Sequence, residues 1–150
     1  MDLILWRHAE AEDGVPDTAR RLTPKGEKQA QKVAKWLKER IEVPMRVLVS
    51  PAVRTRQTAS ALTNKFETRD EVGVSTSAQQ VLRAAGYPNA AGTMIVVGHQ
   101  PTLGQVAALL LTGEEAEWDI KKGAVWWFEV ADSGGEPYAS LRAVIAPREA

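Results

Sequence analysis

Three short, unbroken runs of apolar residues predict strands that are buried on both faces of a sheet. Each run ends abruptly at polar residues, and the three runs are Leu3–Trp6, Val47–Val49 and Met94–Val97. Val72–Val74 predicts a further, brief strand. Late in the chain, Ala124–Val130 and Tyr138–Ile145 alternate between apolar and polar residues, which predicts a β-hairpin around Ser133-Gly134-Gly135.

Apolar residues at helical spacing predict four helices between these strands. The first helix starts at Thr23-Pro24 and stops before Pro44, the second starts at Ser50-Pro51 and reaches Phe66, the third covers Thr76–Ala85, and the fourth runs from Pro101 or Thr102 to Gly113. Strands that alternate with helices favour a parallel sheet, and the late hairpin adds antiparallel strands. We therefore predict a single three-layer α/β/α domain over residues 1–150, with a mostly parallel central sheet.

Composition narrows the chemistry that this domain can carry. The 19 Lys+Arg balance the 19 Asp+Glu, so there is no global basic field to hold nucleic acid or an anionic membrane. The chain has no Cys, which excludes a thiolate nucleophile, a disulfide framework and an iron–sulfur cluster. Its apolar runs are far shorter than the ~20 residues of a membrane span, and its N-terminus lacks the organisation of a signal peptide. We expect a soluble, cytoplasmic protein.

Polar residues suited to catalysis follow the three strongest predicted strands. Arg7-His8 comes after the first strand, the segment from Ser50 to Arg54 after the second, and Gly98-His99 after the third. Because the carboxyl ends of parallel strands share one edge of a sheet, and ligands bind in the crevice there, we expect these segments to converge. Both histidines of the chain and at least two arginines would then surround one ligand.

Such a pocket favours a phosphoryl group. A guanidinium is permanently charged and presents a planar fork to phosphate oxygens, and helix N-termini near Pro51 and Pro101 would add free amides at the same edge. A neutral imidazole can attack phosphorus, and neighbouring guanidinium groups disfavour its protonated form. A second imidazole can donate a hydrogen bond to the phosphoryl oxygens in the transition state. The residues thus indicate phosphoryl transfer through a covalent histidine intermediate.

Three motifs, in this order, resemble those of the histidine phosphatase superfamily. Leu5-Trp6-Arg7-His8-Ala9-Glu10 resembles its Arg-His-Gly signature, with Ala9 in place of the usual glycine. The segments Ser50–Ala59 and Val97–Pro101 are similar to its second and third motifs. The short chain and the segment Arg20–Gly26 are similar to the phosphohistidine phosphatases of the SixA type. The resemblance covers nearly the whole chain and implies a phosphoglycerate mutase-like fold.

The resemblance also implies a role for each matching residue. His8 would be the nucleophile that becomes transiently phosphorylated, and Arg7 would bind the phosphoryl group beside it. Arg54 would be the second phosphate ligand, and His99 would contact the phosphoryl group during its transfer. Arg20 would be an additional phosphate ligand, although its neighbour Arg21 leaves open which of the two reaches the phosphate. The family implies no metal and no organic cofactor.

The lack of a clear general-acid motif favours phosphohistidine as the substrate. Larger relatives keep a glutamate between the second and third motifs, whereas Asp70 and Glu71 lie there in surroundings that do not match. A phosphoramidate needs less leaving-group machinery than an alkyl phosphate, because its ring nitrogen can itself accept a proton. We expect a monomeric, metal-independent phosphatase whose substrate is a phosphohistidine-bearing protein of the histidine phosphotransfer or phosphocarrier type.

Two alternatives stay open, and several residues have a simpler interpretation. The alternatives are a small-molecule phosphomonoesterase of the same superfamily and a non-catalytic module that binds phosphate or a phosphoprotein. A metal site in His8-Ala9-Glu10-Ala11-Glu12 is disfavoured, because it has few ligands and a neighbouring arginine repels cations. Arg56 is predicted to face solvent. Trp126 and Trp127, adjacent on one strand, point to opposite faces, so at most one belongs to the core.

Overall fold

Strands and helices alternate along most of the chain, and two longer strands follow. A computed structural model describes residues 1–42, 44–131 and 134–150. Six strands lie within these residues, and they are β1 (Asp2–Arg7), β2 (Met45–Val49), β3 (Glu67–Thr68), β4 (Thr93–Gly98), β5 (Val125–Ala131) and β6 (Tyr138–Ile145). The same residues form four α-helices, which are α1 (Pro24–Lys38), α2 (Val53–Ser60), α3 (Ala78–Ala84) and α4 (Thr102–Thr112). None of these helices combines the length and the apolar character needed to cross a bilayer.

The six strands form one mixed sheet in the order β3-β2-β4-β1-β5-β6. The first four strands run parallel to one another, whereas β5 is antiparallel to both β1 and β6. The predicted fold class, a mostly parallel sheet with a late antiparallel hairpin, is therefore confirmed. Ser133, which belongs to the predicted hairpin turn, lies outside the described residues.

Helices cover both faces of the sheet because alternate strand residues point to opposite sides. From β1, Leu3 and Leu5 pack with the apolar residues of α3 and α4, whereas Ile4 and Trp6 pack with those of α1 and α2. This arrangement gives the three predicted layers. The two adjacent tryptophans divide in the same way, since Trp127 is buried in the core beside α1 and Trp126 is half-buried on the other face.

The predicted strand at Val72–Val74 is wrong. Asp70–Val72 forms a 3-10 turn, and the strand β3 consists of the exposed residues Glu67–Thr68, which pair with Leu48 and Val49 at the edge of the sheet. An exposed edge strand buries neither face, so no apolar pattern marks it. Val72 owes its apolar side chain to burial in the core instead.

Helix boundaries also differ from the predictions, most of all for α2. This helix begins at Val53 and ends at Ser60, not at Ser50-Pro51 and Phe66, and its N-cap residue Ala52 provides no side-chain cap. The third helix begins at Ala78 because Ser77 and Gln80 form a capping box at its N-terminus. The first helix ends at Lys38, several residues before Pro44.

The order of the strands brings one set of chain segments to a single edge of the sheet. β4 lies between β1 and β2, so the residues that follow these three parallel strands emerge side by side. β5 runs the other way, and the segment that precedes it reaches the same edge, where the Gly123 N–H donates to the His8 carbonyl at 2.9 Å. This edge carries the site described below.

Gly26 allows the first turn of α1 to pack against the backbone just after His8. A Cβ at this position would overlap the carbonyl oxygen of Glu10. An exposed helical Gly→Ala change usually stabilises by ~1 kcal/mol. Here we expect Gly26→Ala to lower the free energy of unfolding by about 1–3 kcal/mol, the usual cost of overpacking. Urea denaturation measures this change. Gly135→Ala is the control, because a Cβ there meets nothing within 4 Å; equal effects of the two changes would contradict the close approach.

Candidate active site

A pocket of about 380 Å³ opens at the carboxyl edge of the sheet. It is lined by Arg7, His8, Ala11, Asp13, Asp17, Arg20, Arg54, Val74, His99, Gln100 and Lys122. The lining includes all five residues that the sequence predicts to be catalytic or phosphate-binding, which are Arg7, His8, Arg20, Arg54 and His99. Four lining side chains are cationic and two are acidic, so the pocket is locally basic in a chain of zero net charge.

His8 is buried and held in one tautomer. Its Nδ1 lies 2.7 Å from the carbonyl oxygen of Ala9, and a carbonyl can only accept, so Nδ1 carries the proton. The lone pair of the neutral ring is then on Nε2, which makes no hydrogen bond within the described residues. A nitrogen with an available lone pair beside several arginines is suited to nucleophilic attack on a phosphoryl group.

The segment that follows His8 is fixed by the first two helices. The Ala9 N–H donates to Thr58 Oγ1 at 3.1 Å, and the Glu10 N–H donates to Gln29 Oε1 at 3.0 Å. Ala9 is fully buried, and all the positive φ values that the structure gives within the described residues belong to glycine. Alanine therefore occupies the position of the family's usual glycine without a left-handed backbone.

His99 bridges the end of β4 to two polar groups. Its Nε2 lies 2.8 Å from Ser50 Oγ, and its Nδ1 lies 3.4 Å from Nη2 of Arg54. A guanidinium only donates, so Nδ1 accepts from Arg54, and the proton of the neutral ring is on Nε2, which donates to Ser50. The two imidazole centroids are 5.4 Å apart, so one small anion can contact both rings.

Both imidazoles are poor bases in this pocket. Burial, with Arg54, Arg7 and Arg20 nearby, lowers the pKa of His8 from 6.5 to about 4, although the hydrogen bond to Ala9 opposes the shift. Burial and then Arg54 lower the pKa of His99 to about 3. Both rings are thus neutral at neutral pH, and the unprotonated form of His8 that nucleophilic attack requires predominates.

Arg54 and Arg20 meet at one carboxylate. Arg54 donates from Nη1 to the Asp17 carbonyl at 2.8 Å and from Nη2 to Asp17 Oδ2 at 3.1 Å, while Arg20 Nε donates to Asp17 Oδ1 at 3.1 Å. Hydrogen bonding from Arg54 is the main reason why the pKa of Asp17 is lowered. Arg20 thus lines the pocket, whereas Arg21 and Arg56 are exposed and are absent from its lining.

The segment before β5 supplies the remaining wall. Arg7 Nη1 donates to the Ile120 carbonyl at 2.8 Å, and the Lys122 side chain lines the pocket. The Nε atoms of Arg7 and Arg54 are buried and have no hydrogen-bond partner among the described residues. Buried donors of this kind cost free energy unless an acceptor is supplied.

Six lining residues are not among the candidates from the sequence, and they are Ala11, Asp13, Asp17, Val74, Gln100 and Lys122. Asp17 has a local signal, because it precedes Arg20 by three residues and forms an (i, i+3) ion pair with it. Lys122 has no such signal, because its place in the site depends on strand pairing. Ser50 belongs to a segment that the sequence predicts to reach this edge, although its contact with His99 is not predicted. No group of three or more His, Cys, Asp or Glu side chains in the described part of the chain is arranged to hold a metal ion.

Comparisons with known proteins agree on one family. The family model for the histidine phosphatase superfamily (branch 1) matches residues 3–79. The phosphohistidine phosphatase SixA of Escherichia coli (strain K12) is 31% identical over 128 residues, which cover 76% of each chain. A solved structure of the protein histidine phosphatase SixA complexed with tungstate has a TM-score of 0.81 at 25% identity, covering 99% of this chain and 98% of the other. A structure assigned to SixA from Nakamurella multipartitia has a TM-score of 0.80 at 27% identity, covering 97% and 95%.

The geometry predicts opposite tautomers and low titration midpoints for the two histidines. In long-range 1H–15N NMR spectra at neutral pH, we expect His8 to carry its proton on Nδ1 and His99 on Nε2. Their midpoints should lie near 4 and 3 respectively. His8→Ala assigns the signals, because the chain has two His residues. A midpoint at or above 6.5 for either ring would contradict its neutral, buried state.

Folding stability should report the same shifts. Below pH ~6.5 an imidazole in the unfolded chain binds a proton. In the native protein His8 and His99 bind a proton only near their lowered pKa values of about 4 and about 3. The unfolded state then binds more protons, so the histidine contribution to the free energy of unfolding falls as the pH falls through this window.

Proposed function

Because the chain belongs to the histidine phosphatase superfamily, we propose that this phosphatase removes phosphoryl groups from phosphohistidine side chains of proteins, with His8 as the nucleophile. One observation carries the proposal. His8 Nε2 keeps a lone pair in a pocket that also holds Arg7, Arg20, Arg54 and His99. These groups provide a nucleophile, three permanent cations and a second imidazole at the place where a phosphoryl group would bind.

In the first step, His8 Nε2 attacks the phosphorus of the substrate phosphohistidine. The new N–P bond forms as the bond between phosphorus and the substrate ring nitrogen breaks, and that nitrogen keeps the electron pair. Arg7, Arg54 and Arg20 offset the negative charge of the phosphoryl oxygens throughout. Charge-assisted hydrogen bonds of this type contribute ~1.5–3 kcal/mol each.

His99 would donate to a phosphoryl oxygen through Nδ1. In this structure Nδ1 accepts from Arg54, so the donating role requires the other tautomer. Ser50 permits the exchange, because its hydroxyl can either accept from Nε2 or donate to it. When the hydroxyl donates, the proton of the neutral ring moves to Nδ1 without a charged imidazolium.

In the second step, water attacks phosphorus, the N–P bond to His8 breaks, and inorganic phosphate leaves. His8 recovers its lone pair and can begin another cycle. The E. coli relative is a phosphohistidine phosphatase by name, and one SixA structure of similar fold was solved in complex with tungstate, a tetrahedral oxyanion like phosphate. Both relatives support a phosphoryl substrate here.

The acid–base state of the pocket supports phosphohistidine over alkyl phosphates. The pKa of Asp17 is lowered by Arg54, and the pKa of His99 is lowered to about 3. Neither group is protonated at neutral pH and able to give a proton to an alkoxide. The ring nitrogen of phosphohistidine that is not bonded to phosphorus can take a proton from solvent before the N–P bond breaks. The imidazole then leaves as a neutral ring, and its departure depends less on an enzymatic acid.

The nucleophile can be identified by trapping. A [32P]phosphohistidine carrier protein should label the wild-type chain with a base-stable, acid-labile phosphoenzyme, and His8→Ala should abolish the label. Arg56→Ala is the control, because Arg56 is exposed outside the pocket, and it should retain the label. Chelators should leave turnover unchanged. Labelling that persists in His8→Ala would remove His8 from its proposed role.

A substrate panel tests the proposed class. We expect kcat/KM on a phosphohistidine protein to exceed that on a sugar phosphate by about 10²–10⁴, the usual contribution of a general acid. Rates of phosphate release on the two substrates, measured at equal enzyme concentration, give the ratio. Comparable rates would favour a small-molecule phosphomonoesterase. Saturable binding without phosphate release would favour a binding module.

A further inference from the structure

One carboxylate occupies donors of two arginines in the pocket. Asp17 accepts from Arg54 Nη2 through Oδ2 at 3.1 Å and from Arg20 Nε through Oδ1 at 3.1 Å. We call Arg20 and Arg54 the arginine clamp. A guanidinium has five N–H donors, and Arg54 also gives one to the Asp17 carbonyl and directs one at His99. Asp17 therefore takes a large share of the donors that a phosphoryl group would use.

The two partners of this ion pair differ in their freedom to move. The side chain of Arg54 is 5% exposed, whereas that of Asp17 is 56% exposed. Asp17 lies at the start of a 3-10 turn (Asp17–Ala19) with no buried residues. Its carboxylate can rotate into solvent at little desolvation cost, while Arg54 is buried on α2 and directs Nη2 at His99. When this contact breaks, Asp17 is therefore the partner that moves away.

A phosphoryl dianion and this carboxylate cannot share the arginine clamp without cost. Both are anions that require the same N–H groups, and like charges a few ångströms apart in a partly buried site repel each other. Electrostatic competition predicts that one of them leaves when the other binds. The more exposed carboxylate is the one that can leave.

We infer that Asp17 is a displaceable internal anion that competes with phosphoryl groups for the arginine clamp. By this competition it weakens the binding of inorganic phosphate, the product, and so favours its release. The inference rests on the proposed function in one respect, that the pocket binds phosphoryl groups. It goes beyond that function by assigning to Asp17 an opposing role: a residue that lowers phosphate affinity instead of raising it.

A purely structural role makes the opposite prediction. If Asp17 served only to hold Arg54 and Arg20 in place, its loss would disorder the clamp and phosphate would bind more weakly. If Asp17 competes, its loss frees donors and phosphate binds more tightly. A gain of affinity does not follow from damage to the site, so the direction of the change separates the two roles.

The test is direct titration of inorganic phosphate into the full chain at fixed ionic strength, by calorimetry and by 31P NMR. We expect Asp17→Asn to lower the Kd of phosphate by about tenfold, on the scale of one charge-assisted hydrogen bond, and to strengthen product inhibition to match. Asp13→Asn is the matched control. It removes the same charge from the pocket lining without releasing an arginine, so it should change Kd by less than about twofold.

Several outcomes would overturn the inference. They are an unchanged or raised Kd in Asp17→Asn, an equal decrease in Asp13→Asn, or no phosphate binding by the wild-type chain. Asp17→Ala, which removes the carboxylate entirely, must shift Kd in the same direction, and thermal unfolding verifies that both variants fold. Binding is measured without turnover. Tighter phosphate binding in a chain that fails to hydrolyse phosphohistidine would therefore contradict the proposed function alone, and unaltered binding in an active enzyme would contradict this inference alone.

Discussion

The burial of positive charge, at the buried Arg54 and the half-buried Arg7, is the constraint that shapes the rest of the site. Buried cations need oxygen partners, and this chain supplies them mainly as neutral carbonyls. Arg7 donates to the carbonyl of Ile120, and Arg54 donates to that of Asp17. Carbonyl dipoles satisfy the N–H groups without cancelling the positive charge. The pocket therefore stays basic, and the Asp17 carboxylate, which pairs with Arg54, is more than half exposed.

The parallel sheet supplies the geometry that side-chain contacts alone would not. β1 pairs with β4 so that Trp6 lies opposite Val97, and Val49 of β2 lies opposite the same residue. The pairing continues just past the strands, since the His8 N–H donates to the Gly98 carbonyl at 3.2 Å and the Ser50 N–H to the Val97 carbonyl at 3.1 Å. A slip of one residue would turn these side chains to the opposite face. The burial of β4 on both faces strongly disfavours such a slip.

Periodicity predicted the elements that have buried faces and failed for those that do not. β4 and α4 have strong apolar signals, whereas the edge strand β3 consists of two exposed polar residues. The same distinction holds in the site. His8 and His99 were found because each follows a strong strand. The contact between Asp17 and Arg54 joins positions 37 residues apart in sequence, and a pattern of neighbouring residues carries no information about such a pair.

The feature that keeps His8 unprotonated also limits what the pocket can do. Burial and the arginines lower the pKa of His8 to about 4 and of His99 to about 3, and the same cations lower that of Asp17. The positive potential of the pocket disfavours protonation of every group in it. It therefore keeps a lone pair on His8, but it also disfavours a protonated acid beside the leaving group. A phosphohistidine whose second ring nitrogen takes a proton from solvent would avoid this conflict, and this is the physical reason for proposing a phosphoramidate and not an alkyl ester as the substrate.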